Sequence, residues 1–129
     1  MEKLIRKYIR KILSEQLINE VGESVKKLMD DLELKYNVDL FIYYNKFANT
    51  IILSKIVIPK KERSHGTGTK IMDEICDFAD KNNLRVALTP SSDFGGSKTR
   101  LNSFYRRFEF KPYKGFEFRE AMVRLPHIY

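Results

Sequence analysis

The sequence has a single cysteine, Cys76, and no run of apolar residues long enough to cross a membrane. One cysteine excludes an internal disulfide and any zinc site built from cysteines alone. A membrane span needs about 18 consecutive apolar residues. Residues 1–7 alternate charged and apolar side chains, unlike the apolar core of a secretory signal. These absences predict a reducing, cytoplasmic setting and no membrane partner.

Histidine is also scarce, since the chain has only His65 and His127. They lie far apart in sequence and lack a neighbouring pair of carboxylates, so we expect no metal site. The chain has no internal repeat, and its longest linker-like stretch, 91–98, is too short to separate two domains. We therefore predict that residues 1–129 form a single domain.

The charge that is present is mainly positive, with 24 Lys and Arg against 17 Asp and Glu. This balance favours anionic partners such as phosphorylated cofactors, nucleic acid or acidic protein faces. The stretch 98–119 carries seven basic residues against two Glu, with aromatic residues between them. That composition is typical of a nucleic-acid surface. The aromatic spacing also fits a protein core, and cofactor phosphates would use the same charge, so nucleic-acid binding remains the alternative.

Two amphipathic helices are predicted at the N-terminus. Apolar residues recur at helical spacing from Leu4 to Leu17 and again from Val25 to Tyr36. Gly22 weakens the helical pattern between them, and Ser24 is a candidate cap for the second helix. We expect both helices to pack on the core rather than on a membrane surface, because glutamates dilute the positive charge.

The rest of the chain predicts an α/β fold. Strand-like segments at 38–44 and 50–58 are joined by a turn at 45–49, and Pro59 ends the second strand. The following segments predict a helix, a short strand, a helix and one or two closing strands, at Gly66–Asn82, 85–89, from about Ser97, and at 116–125.

The segment between the second strand and the next helix predicts a phosphate site. It holds basic residues and two close glycines, Gly66 and Gly68, directly before the helix. The first turn of a helix has four N–H groups without an internal partner, and the helix dipole is positive there. Glycines let the backbone approach an anion closely. The segment could therefore seat a phosphate or pyrophosphate, although two glycines can also be a simple turn and cap.

The same segment resembles the pyrophosphate loop of the GCN5-related N-acetyltransferase (GNAT) superfamily, which uses acetyl-coenzyme A. The family pattern Arg/Gln-x-x-Gly-x-Gly/Ala is matched by Arg63-Ser64-His65-Gly66-Thr67-Gly68. Downstream, Tyr105 and Phe110 match a Tyr and Phe five residues apart near the end of the family's fourth helix. Residues 85–89 and 121–124 resemble its fifth and closing strands. The resemblance implies a GNAT-like mixed, mostly antiparallel central sheet flanked by helices, here with two N-terminal helices.

Three departures from the family pattern stand out. Glu109 occupies a position that is usually Gly, so we expect a differently built turn after the helix. The N-terminal part has no clear first strand, which shortens the half that binds the acceptor. The second strand, which matches the family's fourth strand, offers Ser54 and Lys55 but no acidic residue to act as a base.

The resemblance implies that acetyl-CoA donates an acetyl group to an amine, which we expect to be a protein lysine or N-terminus, by direct attack. A backbone N–H near the end of the second strand would polarise the thioester carbonyl, and backbone N–H groups of the loop would seat the pyrophosphate. The cofactor-binding residues are then Ile56, Val57, Ile58, Arg63, Ser64, His65, Gly66, Thr67, Gly68 and Thr69.

Tyr105 matches the family's general acid, which protonates the leaving thiolate. Its place in the apolar stripe of its helix also fits a core tyrosine. The general base stays open between Asp93, Glu62, His65 and a chain of waters. We expect Cys76 to be a buried thiol rather than a nucleophile. We expect no role for His127.

Overall fold

A computed structural model describes residues 2–63, 65–91 and 97–127. Within these ranges the chain forms three α-helices and five β-strands, with one 3₁₀ turn at Lys60–Glu62. In chain order they are α1 (Glu2–Tyr36), β1 (Asp39–Asn45), β2 (Thr50–Val57), α2 (Thr67–Lys81), β3 (Arg85–Leu88), α3 (Lys98–Arg106), β4 (Lys111–Pro112) and β5 (Met122–Arg124). None of the helices in the described ranges is both long and apolar enough to span a membrane.

The prediction of two N-terminal helices is wrong, because α1 is a single helix of 35 residues. It continues through Gly22 and Ser24 without a break. A glycine inside a helix costs about 1 kcal/mol, which packing of the following turns can offset. Val25 and Leu32 are fully buried and hold this part of α1 on the sheet.

The prediction that the first part of α1 packs on the core is also wrong. Every described side chain from Glu2 to Glu20 is exposed. At 3.6 residues per turn, Ile5, Tyr8 and Ile12 project from a side of the helix roughly opposite to Val25 and Leu32. The apolar face therefore changes sides along α1, and the face that begins at Leu4 points away from the sheet.

The strands form one mixed sheet in the order β1-β2-β3-β5-β4. Among the described strands, β2 and β3 are parallel, with α2 connecting them, and the other three pairs are antiparallel. This arrangement confirms the α/β class and the mixed sheet. The closing part differs from expectation, because β4 lies before residue 116 and is only two residues long.

Side chains from the two faces of the sheet enter different apolar clusters. The larger cluster contains Ile51 and Leu53 of β2, together with buried residues of α1, α2 and α3. The smaller cluster contains Ile52 of β2 and Val123 of β5. The segment after β4 covers it with Phe118, whose ring stacks on Tyr113 at a centroid distance of 4.0 Å. Alternate residues of β2 therefore serve opposite faces, as the pleat of a strand requires.

Strand β2 extends beyond the end of its parallel partner β3. The parallel register pairs Thr50 with Arg85 and ends at Leu53 and Leu88, whereas β2 continues to Val57. On the other side of β2, Phe41 pairs with Lys55 and Ile42 pairs with Leu53, so Ser54 is an extra residue in the ladder. Such a bulge bends the strand and increases its twist. Beyond Leu53, β2 therefore has no β3 residue beside it.

A buried ion pair joins the end of α2 to β5. Arg124 donates Nη1–H to Asp80 Oδ1 at 2.8 Å and Nη2–H to Oδ2 at 3.0 Å, and its Nε–H to the Phe108 carbonyl at 3.0 Å. Both charged side chains are nearly inaccessible to water. The hydrogen bonds from Arg124 hold the pKa of Asp80 below its usual range.

Candidate functional site

A cavity of about 700 Å³ lies beside the part of β2 that continues past the end of β3. It lies at the carboxyl ends of two parallel strands, where ligands bind in open α/β sheets, and its size fits a small-molecule or cofactor site. The lining comes from β2, the loop before α2, the end of β3 and one face of α3: Leu53, Ser54, Lys55, Ile56, Ile58, Arg63, Gly66, Gly68, Thr69, Leu88, Thr89, Ser91, Arg100, Leu101, Ser103, Phe104, Tyr105 and Arg107.

The first turn of α2 presents unpaired backbone amides at this cavity. Gly66 is the N-cap, and the Lys70 N–H donates to its carbonyl at 3.1 Å, which is the first hydrogen bond of the helix. The N–H groups of Gly66 through Thr69 precede that bond and have no backbone acceptor among the described residues. Gly66, Gly68 and Thr69 line the cavity. The helix start can therefore receive an anion.

Both glycines of the loop have a physical reason to be glycine. Gly66 has a φ of 73°, in the left-handed region where a side chain is strained, although a Cβ there would have open space. Gly68 has ordinary helical backbone, but a Cβ there would lie 3.2 Å from Ile58 Cδ1 and 3.5 Å from Phe104 Cζ. Gly66 therefore sets the turn, and Gly68 lets the helix pack closely against the cavity wall.

The charged residues in the described lining of the cavity are all basic. Lys55, Arg63, Arg100 and Arg107 are lining residues, and the described lining contains no Asp, Glu or His. Lys55 forms an ion pair with Asp39 at 2.6 Å, which offsets part of its charge. Arg107 lies over the Phe104 ring at 5.2 Å, and Arg63 Nε–H donates to the Ile58 carbonyl at 3.0 Å. The cavity therefore favours an anionic ligand.

Tyr105 has a buried ring that touches the cavity. Its ring packs edge-on against Phe104 and Phe110, with centroid distances of 5.2 and 5.8 Å. Its hydroxyl has no hydrogen-bond partner among the described residues. Every fully buried side-chain oxygen of the described residues does have a partner, so the Tyr105 hydroxyl is not fully buried. The hydroxyl therefore keeps access to solvent, and Tyr105 lines the cavity. Burial raises its pKa above the usual value of 10.0, so the phenol keeps its proton near neutral pH.

The structure brings most of the predicted site residues to this cavity. Ile56, Ile58, Arg63, Gly66, Gly68, Thr69 and Tyr105 line it. Val57, His65 and Thr67 are not lining residues, although Thr67 supplies an amide of the same helix turn. Ser64 lies outside the described residues. The assignment of these residues to a ligand stays a prediction.

The candidate bases are not brought together with Tyr105 in the described structure. Glu62 and His65 are not among the lining residues. Asp93 lies outside the described residues. No carboxylate or imidazole in the described lining is therefore placed to accept a proton.

Sequence reasoning missed that Lys55, Arg100 and Arg107 share the cavity with the loop. One signal could have found the two arginines, because Arg100, Phe104 and Arg107 recur at the spacing of one helix face. Tyr105 follows Phe104 directly, so that face borders the proposed acid. The position of Lys55 depends on the bulge at Ser54, which no local pattern reveals.

Several residues outside the cavity have structural roles. Burial raises the pKa of the Cys76 thiol to about 11, so this thiol stays protonated and unreactive. Glu109 adopts a φ of 73°, the conformation that glycine favours, so the turn after α3 keeps a left-handed residue without a glycine. The expectation of no role for His127 is wrong, because its ring pairs with Glu109 and its N–H donates to Asp80 at 2.9 Å.

No group of three or more potential metal-ligating side chains occurs within the described ranges.

No protein-family model matches the chain, and searches of curated proteins and of solved structures found no match either. The resemblance to the GNAT superfamily therefore depends on the sequence motifs alone.

Proposed function

We propose that the protein is an N-acyltransferase that moves an acetyl group from acetyl-CoA to an amine, with the fold of the GNAT superfamily. The observation that carries the proposal is the cavity between β2 and β3. Unpaired amides of α2 and four basic side chains meet there without an acidic residue in the described lining.

The diphosphate of coenzyme A fits the first turn of α2. The N–H groups of Gly66 through Thr69 would donate to its oxygens, and the helix dipole adds attraction there. Gly68 keeps side-chain atoms away from this point. Arg63, Arg100 and Arg107 supply further positive charge for the phosphates of the nucleotide.

The pantetheine arm of the cofactor fits along the part of β2 that lies beyond its pairing with β3. This arm is extended and carries amide groups, and β2 continues for four residues, 54–57, beyond its pairing with β3. An unpaired strand edge can hydrogen-bond an extended ligand as an added strand. The thioester would then lie near Ile56, Val57 or Ile58, and one backbone N–H there would stabilise the developing oxyanion. Such a donor contributes roughly 100- to 1,000-fold to rate in other enzymes.

The reaction proceeds by direct attack of the amine on the thioester carbonyl. The C–N bond forms, the C–S bond breaks, and the electron pair of that bond leaves on sulfur. Tyr105 donates its proton to the thiolate, for which its raised pKa keeps a proton available. The amine loses a proton to water, because the described lining contains no carboxylate or imidazole. Nearby positive charge disfavours a protonated amine and so favours the nucleophilic form.

We propose that the acceptor is a protein lysine or N-terminus. The N-terminal half contributes one hairpin and one helix to the fold. The described cavity lining takes residues from β2 and none from α1 or β1, which leaves few elements to enclose a small acceptor and favours an amine presented by a macromolecule.

Thermal unfolding with and without acetyl-CoA tests the proposal. A ligand that binds only the folded state raises the free energy of unfolding, by about 2.7 kcal/mol at a ligand concentration of 100 times Kd, and therefore raises Tm. We expect acetyl-CoA and CoA to raise Tm, and pantetheine without the nucleotide to have a much smaller effect. An unchanged Tm at saturating acetyl-CoA would contradict the proposal.

The second candidate is a module without catalysis that binds nucleic acid through its basic C-terminal half. The observation that favours it is the exposure of Lys98, Arg106, Lys111, Lys114 and Arg119, together with a fully exposed Phe116. Basic and aromatic side chains on one surface bind single strands by charge and stacking. Binding to RNA or DNA that falls steeply with salt, without any Tm shift from acetyl-CoA, would favour this candidate.

A further inference from the structure

The first part of α1 presents an apolar surface that no described part of the chain covers. We define the N-terminal arm as Glu2–Glu20 of α1, where every described side chain is exposed. Seven large apolar residues of the arm are between 42% and 71% exposed: Leu4, Ile5, Tyr8, Ile9, Ile12, Leu13 and Leu17. They extend over about 20 Å of helix. Monomeric proteins rarely expose continuous apolar patches of this extent.

The geometry of α1 keeps this surface from being covered by its own domain. The face of Ile5, Tyr8 and Ile12 lies roughly opposite to the face that Val25 and Leu32 bury on the sheet. A straight helix cannot place both faces on the same body. Helices of proteins are stabilised mainly by packing of an apolar face. We therefore expect the apolar face of the arm to pack against a second molecule.

The charges along the arm are separated in a way that selects the partner. Five basic residues occur within 3–11, whereas the stretch 12–25 has three glutamates and no basic residue. Two arms side by side in parallel would place like charges next to each other. Two antiparallel arms would place the basic stretch of one beside the acidic stretch of the other, which is favourable.

We propose that the partner is a second copy of this chain, bound through antiparallel packing of the two arms about a two-fold axis near Leu13. With this axis, Arg6 of one copy is level with Glu20 of the other, and Lys11 is level with Glu15. At 3.6 residues per turn, Arg6 and Glu20 border one side of the apolar face, and Lys11 and Glu15 border the other. The same surface is used by both copies, as a two-fold interface requires.

A membrane surface is the less suitable occupant for the arm. A helix that lies on an anionic membrane has basic residues along its polar face. In the arm, Glu15 and Glu20 lie beside the apolar face, where an anionic surface would repel them. The proposal concerns the arm alone and does not depend on the proposed function.

The molar mass in solution tests the proposal. By sedimentation equilibrium we expect the wild type to have twice the chain mass of 15.3 kDa, and Ile9→Gln with Leu13→Gln to have the mass of one chain. These residues are about half exposed, so the substitutions leave the core intact. The control is Leu34→Gln, an exposed leucine of the same helix beyond the arm, which should leave the mass doubled. A wild type that stays monomeric at every concentration, or a double variant that still dimerises, would overturn the proposal.

A charge exchange tests the antiparallel arrangement itself. One variant carries Glu15→Lys and Glu20→Lys, and the other carries Arg6→Glu and Lys11→Glu. We expect each variant alone to lose dimerisation, because its arms repel, and an equal mixture to form a mixed dimer. A mixture that stays monomeric, or variants that dimerise alone as the wild type does, would contradict the arrangement. Co-sedimentation of a monomeric wild type with phosphatidylserine vesicles would assign the arm to a membrane surface instead.

Discussion

At the residue scale, Tyr105 combines a buried ring with a hydroxyl that the described chain leaves without a hydrogen bond. A core tyrosine usually finds a partner for its hydroxyl when it is buried. Desolvation raises the pKa of Tyr105 and keeps the phenol neutral, so it can donate a proton but cannot act as a base near neutral pH. Its position beside Phe104 and the basic cavity is the chemical centre of the proposed site.

We expect Tyr105→Phe to lower kcat by roughly 100- to 10,000-fold, the usual contribution of a general acid. The Kd for acetyl-CoA and the Tm should change little, because the hydroxyl has no partner to lose within the described chain. Steady-state kinetics, titration calorimetry and thermal unfolding measure the three quantities. Tyr43→Phe, at an exposed position of β1, is the matched control. Equal losses of turnover and affinity would assign Tyr105 to packing.

The two glycines of the loop predict different outcomes for similar substitutions. Gly68→Asp places a carboxylate where the phosphate is proposed to bind and crowds Ile58, so acetyl-CoA affinity should fall below detection. Gly66→Asn should keep most of the affinity, because asparagine tolerates the left-handed conformation and has open space there. Titration calorimetry measures both variants. Unchanged affinity in Gly68→Asp would contradict the loop assignment.

At the element scale, the Asp80–Arg124 pair fixes the end of α2 to β5. Removing one partner of a buried pair leaves an uncompensated charge and typically costs about 3–5 kcal/mol. Asp80→Asn should therefore lower the free energy of unfolding by about that amount at neutral pH. Asp77→Asn, an exposed residue of the same helix, is the control and should have little effect. Urea denaturation measures the difference.

The pH dependence of this pair has a definite sign. The folded pKa of Asp80 lies below the unfolded value of about 3.9. Its contribution to stability is therefore complete above that value and is lost as the pH falls through the folded pKa. The gap between wild type and Asp80→Asn should shrink in acid. A gap that stays constant from neutral to strongly acidic pH would contradict a charged, hydrogen-bonded Asp80.

The elements that the sequence predicts best are those whose local pattern and packing agree. Strand β2 and helix α2 lie within one residue of their predicted bounds, because Pro59 and Gly66 mark their ends. The predicted break in α1 at Gly22 is absent because a glycine inside a helix costs only about 1 kcal/mol, and the packing of Val25 and Leu32 on the sheet offsets that cost. Strand β4 has two residues and pairs with β5, so only its tertiary partner defines it.

At the scale of the whole molecule, the site depends on contacts between distant parts of the chain. The loop from Arg63 to Gly68 can be predicted from the sequence because its glycines lie directly before the start of a helix. Arg107 and Lys55 join it only after α3 and the bulged part of β2 fold against it. Sequence patterns indicate helix faces but not which faces meet, so the basic lining could not be predicted as a unit.

The molecule has two distinct surfaces, one basic and one apolar. The cavity between β2 and β3 is basic and lies within the sheet domain, whereas the arm of α1 is apolar and lies outside it. A ligand of the cavity and a partner of the arm can therefore bind at the same time. The Ile9→Gln, Leu13→Gln variant, which should lose dimerisation, should therefore bind acetyl-CoA with the same affinity as the wild type.

The most direct test of the central claim is an NMR titration of the backbone amides with acetyl-CoA. We expect the amide resonances of Gly66, Thr67, Gly68 and Thr69 to shift most and to saturate together, because these N–H groups would donate to the diphosphate. Saturable binding that leaves these four resonances unmoved, or the absence of binding, would contradict it.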